Sequence, residues 1–176
     1  ASGAWINYLD ADDFLDNSKI DNQVKILNAI NKHSFIASSY YYVTISGEKR
    51  KNYIKSLDTW KNLFSGNLGI TSSNLFKKTN VLKVGMWNEA YNSSQEAELM
   101  FKIMKIYGSP FLMKNEFQTV VCEQKSSIGN VNRSDNLKRF LKLRISILEY
   151  LMEFENEYFQ KEEQWYLNEL LTISLN

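Results

Sequence analysis

The sequence predicts an α/β fold with a helical tail, and three observations carry that reading. Apolar and β-branched runs alternate with amphipathic segments over roughly the first 125 residues, and turn signals such as "SGEK" at 46 to 49, Gly66 and Gly108 separate them. From residue 136 to about 171 the pattern is helical. At 176 residues the chain suffices for one domain with a real core, or one domain plus an appended helix.

Taken in order, Trp5 to Leu9 reads as a short strand, apolar on both faces, as in a covered sheet. Ser18-x-x-Asp21 is a helix-opening box, and Ile20, Val24, Leu27 and Ile30 then recur at helical spacing. The run "FIASSYYYVTI" from Phe35 to Ile45 predicts one strand, and "RKNYIKS" its return after the turn. Residues 57 to 64 predict a short helix stopping near Gly66, and "GITSSNLF" at 69 to 76 another strand. Ser94 to Tyr107 is a clear helix with Leu99, Met100, Ile103, Met104 and Tyr107 on one face, ended by Gly108. Pro110 to Met113 and Phe117 to Glu123 read as two short strands. The tail carries two apolar stripes, one through Leu137, Leu141, Ile145, Leu148, Met152 and Phe159, the other through Phe140, Leu143, Ile147, Leu151, Phe154 and Tyr158.

The charge balance, 21 Lys and Arg against 20 acidic residues, announces no nucleic-acid partner. No apolar stretch approaches the ~20 residues that span a bilayer, and no signal peptide opens the chain. A single cysteine, Cys122, fits a reducing compartment, so a cytoplasmic location is the expectation. With no initiator Met and an apolar strand so close to residue 1, the chain is expected to be the later part of a longer protein.

The chemistry concentrates in "WINYLDADDFLDNSKI", where Asp10, Asp12 and Asp13 crowd together after an apolar strand. Two carboxylates about 4 Å apart repel by about 1 kcal/mol in water and about 4 kcal/mol near a partly buried surface, so the cluster needs a cation, donors or open water. A calcium loop is excluded, because Phe14 and Leu15 stand where a ligand and a glycine belong. A phosphatase with an Asp nucleophile is disfavoured by Asp13-Phe14, since small or hydroxyl residues usually follow such a pair. Two readings stay open: an acidic turn ahead of a helix, helped by the helix dipole, or a ligand site at a strand end, where open α/β sheets bind.

"ASGAWINYLDADDFLDNSKIDNQVKIL" resembles the middle of the family 2 glycosyltransferases, where A-x-G-x-(apolar)-L-D-x-D-D leads into a K-x-x-x-Q helix. A second block, "ITSSNLFKKTNVLKVGMWNEAYNSSQEAELMFKIMKIYG", is similar to the family's strand, Phe-Arg/Lys, Val-Gly-Gly-Trp/Phe-Asp-Glu and Glu/Gln-Asp-x-Glu-Leu helix. The resemblance covers roughly residues 1 to 125, and the family's opening nucleotide-binding units fall before it. It implies a GT-A fold, here a partial mixed sheet with flanking helices over residues 1 to 132 and a helical extension over 133 to 176. It also implies a nucleotide-sugar donor, a Mg or Mn ion and usually inversion at the anomeric carbon. Carried over, Asp10 and Asp12 are the metal-binding D-x-D pair, and Asp13, Trp87 and Glu89 contact the donor or shape its pocket. Glu96 is then the catalytic base, which takes the proton of the attacking acceptor hydroxyl.

Plainer roles stand beside these. Ser93-x-x-Glu96 is also a capping box, Glu98 sits four residues before Lys102 as an exposed ion pair would, and His33 suits a solvated or cap role. The sequence departs from the family at Glu96 and Asn88, where aspartates are usual. The expected activity is sugar transfer to a glycan or lipid-linked acceptor in polysaccharide biosynthesis. The alternative is a non-catalytic remnant of the fold, acting as an interaction module through its tail. That tail starts basic at Lys138, Arg139, Lys142 and Arg144 and turns acidic from Glu149 to Glu163. It is expected to pack on the core or on a second copy, as a homodimer, with its basic end free to approach the inner face of a membrane.

Overall fold

The computed structural model describes residues 2–27, 32–89, 94–124 and 133–175. In chain order the elements are β1 Trp5–Ile6, β2 Phe14–Leu15, α1 Lys19–Ile26, β3 Phe35–Ser38, β4 Tyr40–Val43, β5 Lys49–Asn52, α2 Thr59–Ser65, β6 Leu75–Lys77, α3 Lys78–Lys83, α4 Gln95–Tyr107, β7 Phe111–Met113, β8 Thr119–Cys122, α5 Arg133–Phe154 and α6 Asn156–Leu175. They divide into two compact units, one running from β1 to β8 and the other made of α5 and α6.

Among the described residues of the first unit the strands form two four-stranded sheets, ordered β1-β6-β3-β7 and β2-β8-β4-β5. Where the pattern predicts one strand over residues 35 to 45, the chain makes two, one in each sheet. The break falls at buried Ser39, whose hydroxyl donates to the Lys114 carbonyl at 2.6 Å and accepts the Ile54 N–H at 3.0 Å. β3 runs parallel to β7, and β4 parallel to β8, so two chain segments cross together from one sheet to the other. β5 returns antiparallel to β4, with Tyr41 opposite Lys51. The core of this unit is Phe35, Ile36 and Ala37 of β3, Phe76 of β6 and the buried face of α4, Leu99, Met100, Ile103 and Met104. Each such large apolar side chain contributes roughly 1.5–3 kcal/mol by leaving water.

Helix ends follow local chemistry. Asp58 caps α2 by accepting the Lys61 N–H at 3.1 Å, and Gly66, at φ 76°, ends it. Gly108, at φ 77°, closes α4 by donating to the Met104 carbonyl.

Three expectations are corrected. Only Trp5–Ile6 pairs in the opening run, at a sheet edge beside β6, and Leu9 is exposed. Ser18 makes no side-chain cap; its N–H and hydroxyl both go to Asp16 instead. α1 turns its apolar residues Ile20 and Val24 outward and buries Lys19 and Gln23. Ile30, in the same predicted stripe, lies outside the described residues.

In the second unit the single long helix becomes two, separated at Glu155. The Asn156 side chain donates to the Met152 carbonyl at 2.9 Å at this break. α5 and α6 contact each other, and Arg144 senses the charge of Glu169. In one continuous helix those residues would stand about 37 Å apart, so α6 turns back along α5. Leu143, Ile147 and Leu151 of one predicted stripe are buried, whereas Leu137, Ile145 and Met152 of the other are exposed. Among the described residues no helix is long and apolar enough to cross a membrane.

Candidate functional site

The site is organised by a buried polar turn, residues 71–74, where the pattern predicts strand. Strand geometry starts only at Leu75, because the Ser73 and Asn74 N–H groups both turn back to the Ile70 carbonyl. Gly69 makes the turn reachable: it sits at φ +74°, and a Cβ there would lie 2.2 Å from Asn74 Oδ1 and 2.9 Å from the Ser38 carbonyl. Asn74 accepts the Ser38 N–H at 3.1 Å and donates to the Leu68 carbonyl at 3.1 Å. Asn7 donates to the Ser72 and Asn74 carbonyls at 3.2 and 2.7 Å. From α1, Lys19 Nζ donates to the Ser73 carbonyl at 2.9 Å and to Gln23 Oε1 at 3.0 Å, and Gln23 Nε2 reaches the same carbonyl at 3.3 Å. Burial lowers the Lys19 ammonium to about 8.

The hydroxyls of this turn meet the predicted carboxylates. Thr71 donates to Glu96 Oε1 at 2.7 Å, and Ser72 Oγ accepts the Asp10 N–H at 3.4 Å. The acidic segment is itself folded, with the Asp13 N–H donating to the Asp10 carbonyl at 3.1 Å. Asp13 is buried and accepts the Cys122 N–H at 3.3 Å, whereas Asp12 is half-buried and Asp10 exposed. Burial pushes the Asp13 carboxyl above its ordinary range; Ser72 and the Cys122 N–H pull it back, and the charges of Asp10 and Asp12 push it up again.

Glu96 stands in the first turn of α4. Burial raises its carboxyl above the usual glutamate range, Thr71 lowers it, and the charges of Asp10 and Asp13 raise it. Tyr40 of β4 completes the cluster. Its hydroxyl accepts the Asn52 amide at 2.7 Å and is pushed to about 12 by burial, then by the charges of Glu96, Tyr42 and Asp13. Tyr40 therefore stays protonated at neutral pH.

Trp87 joins through Tyr8, the two rings meeting edge to face at 5.3 Å. The turn before it, Gly85-Met86, is left-handed at both residues, with φ 84° and 56°, so Met86 holds a conformation that favours glycine. Glu89 is exposed, and among the described residues nothing ties it to the cluster. Ser93, the cap half of Ser93-x-x-Glu96, lies outside the described residues. Glu98 does pair with Lys102, at 3.1 Å, but half-buried rather than exposed, and it also accepts the Asn88 amide at 3.4 Å. His33 Nδ1 sits 3.3 Å from the Ser109 carbonyl, away from these groups.

Asp10, Asp13 and Glu96 are thus brought within electrostatic reach of one another, with Asp12 beside Asp13. Thr71, Ser72 and Tyr40 are the members that the sequence reading misses. The run "TSSN", three hydroxyl residues and an asparagine inside an apolar context, was the available signal. Among the described residues no three His, Cys, Asp or Glu side chains converge as a metal cage. Carboxylate oxygens nevertheless suit a hard cation, and Mg²⁺ is commonly held by one or two carboxylates together with substrate phosphates.

The fold is glycosyltransferase-like: a mixed α/β architecture of two mixed sheets flanked by helices. It is similar to TarS of S. aureus. The crystal structure of TarS 1-349 in complex with UDP-GlcNAc matches at TM-score 0.65 and 10% identity, over 98% of this chain and 57% of that one. TarS 1-349 with UDP matches at TM-score 0.54 and 11% identity over the same shares, and a further TarS structure at 0.58 and 9% over 90% of this chain and 29% of that one. The chain therefore spans little more than half the length of the TarS 1-349 chains. No protein-family model matches the sequence, and no curated protein matches it at significance.

Proposed function

We propose that the protein is a glycosyltransferase that moves a sugar from a nucleotide-sugar donor to a hydroxyl of a glycan or lipid-linked acceptor, with inversion at the anomeric carbon. The observation that carries this reading is the Thr71–Ser72 turn, whose adjacent hydroxyls meet Glu96 on one side and the Asp10 loop on the other.

In this reading Glu96 is the base. Its carboxylate accepts the proton of the acceptor hydroxyl as that oxygen attacks the anomeric carbon, and the bond to the donor diphosphate breaks on the opposite face. A carboxyl raised by burial is a stronger base at neutral pH than an exposed one. Thr71 orients it, so the lone pair facing the acceptor is fixed before reaction. Asp10 and Asp12 would hold Mg or Mn at the donor diphosphate, with Asp13 bracing the loop; such an ion supplies neutralisation of the leaving group's charge. Trp87, packed on Tyr8, is assigned to the wall of the donor-sugar pocket, and exposed Glu89 is assigned there by the family resemblance alone. UDP-GlcNAc, bound in the similar TarS structure, is the first donor to test.

The test is sugar transfer by the full-length protein, with UDP-GlcNAc and other UDP-sugars, in Mn²⁺ or Mg²⁺. Glu96→Gln should lower kcat by several orders of magnitude while UDP binding, read by calorimetry, is largely kept. Turnover near wild type in that variant would reduce Glu96 to a helix cap. No transfer and no UDP binding by the full-length protein would favour the non-catalytic remnant.

A further inference from the structure

We infer that Lys19 and Gln23 are positioning residues: by gripping the Ser73 carbonyl from α1 they hold the 71–74 turn where Thr71 orients Glu96 and Ser72 braces the Asp10 loop. The inference rests on Glu96 being the base. Its physical basis is the choice of side chains on a buried helix face. Burying an ammonium costs several kcal/mol unless it is well paired, and a methionine would fill the same space without that cost. Lys19 is nevertheless buried, and it spends its hydrogen bonds on Gln23 and on one carbonyl. Gln23 aims at the same carbonyl and also reaches Ser38 Oγ at 3.3 Å. Ser73 follows directly on the two residues whose hydroxyls meet the carboxylates, so a displacement of its carbonyl moves both. Misplacing a base by ~1 Å can cost about a hundredfold in rate.

The test reads Glu96 itself. In protein labelled at glutamate side chains, the Glu96 carboxyl resonance, assigned from its loss in Glu96→Gln, is titrated by NMR. Thr71→Val should raise the midpoint, because the donor that favours the ionised form is gone. Lys19→Met should raise it in the same direction, and so should Gln23→Leu, which replaces no ionisable residue and so weighs geometry against the loss of a cation. kcat of the full-length protein should fall at least tenfold in Lys19→Met. Folded Lys19→Met and Gln23→Leu proteins with a wild-type Glu96 titration would overturn the inference, as would failure of both variants to fold cooperatively, which would make the pair scaffold alone. If Glu96→Gln keeps its turnover, the base reading fails, whereas the grip on the turn is still judged by the Glu96 midpoint.

Discussion

At Glu96, ionisation sets catalysis against stability. Burial and the charges of Asp10 and Asp13 hold its carboxyl above the usual range, against the pull of Thr71. A carboxyl whose folded-state pKa exceeds its unfolded value contributes its stability below the unfolded value and loses it as pH rises through the folded one. At neutral pH the ionised Glu96 is therefore a net burden on the fold, and Asp13 has the same sign. Glu96→Gln should melt a few degrees higher than wild type at pH 7, with the gain shrinking toward pH 4. A lower melting temperature at pH 7 would mean that the Thr71 bond outweighs the burial. Gly69 argues the opposite case, since nothing can replace it. Its left-handed φ and the 2.2 Å approach to Asn74 leave no space for a methyl group. Gly69→Ala should cost more than about 2 kcal/mol in denaturant unfolding and loosen the 71–74 turn.

At the scale of elements, α1 shows why the hydrophobic pattern can mislead. Ile20 and Val24 of its apolar stripe point outward, while Lys19 and Gln23 are carried inward to a buried carbonyl and Leu27 still packs on the core. That choice leaves a trace in pH. Lys19 falls from 10.5 to about 8 on folding through burial, so between those values the unfolded state binds more protons and stability rises with pH. Lys19 should add up to about 3 kcal/mol to that rise, read as the amount by which the change in unfolding free energy between pH 7.5 and 10.5 is larger in wild type than in Lys19→Met. Equal curves would put the Lys19 ammonium in water. Other elements were legible where local chemistry decides: α2 with its Gly66 stop, the buried face of α4, and the β4–β5 return. β2 was not, since two paired residues carry no period, and β1 and β6 overlap the predicted strands but pair over only two or three residues. The split at Ser39 and the break at Glu155 depend on side-chain bonds to backbone that spacing does not encode. The site divides in the same way. Asp10, Asp12, Asp13 and Glu96 announce themselves by motif, whereas Ser72 meets Asp10 across 62 residues of sequence and Tyr40 enters through sheet geometry.

For the whole molecule the remaining question is where it works, and its charge bears on that. The net charge is +1, with all the tail's cations but Lys161 gathered at the start of α5 and its glutamates beyond. Among Lys138, Arg139, Lys142 and Arg144, the last is withdrawn: it is buried, with its guanidinium 3.4 Å from the centre of the Phe140 ring, and burial lowers it to about 9. Lys138 lies 3.7 Å from Asp135, and Arg139 donates to Asn136 at 2.7 Å. Lys138, Arg139 and Lys142 bound what an anionic surface could draw on at most. At roughly 1 kcal/mol per cation near such a surface, three of them supply about 3 kcal/mol, a dissociation constant weaker than about 1 mM. The glutamates from Glu149 onward would be repelled, so the helix pair cannot lie flat on lipid by charge. Co-sedimentation with phosphatidylserine-containing vesicles at physiological salt should therefore leave the protein in the supernatant, with weak, salt-sensitive retention appearing only at low ionic strength. Retention that survives about 0.5 M salt would show that apolar insertion rather than charge holds the protein there. The exposed Leu137, Ile145 and Met152 would then be the first side chains to change to lysine.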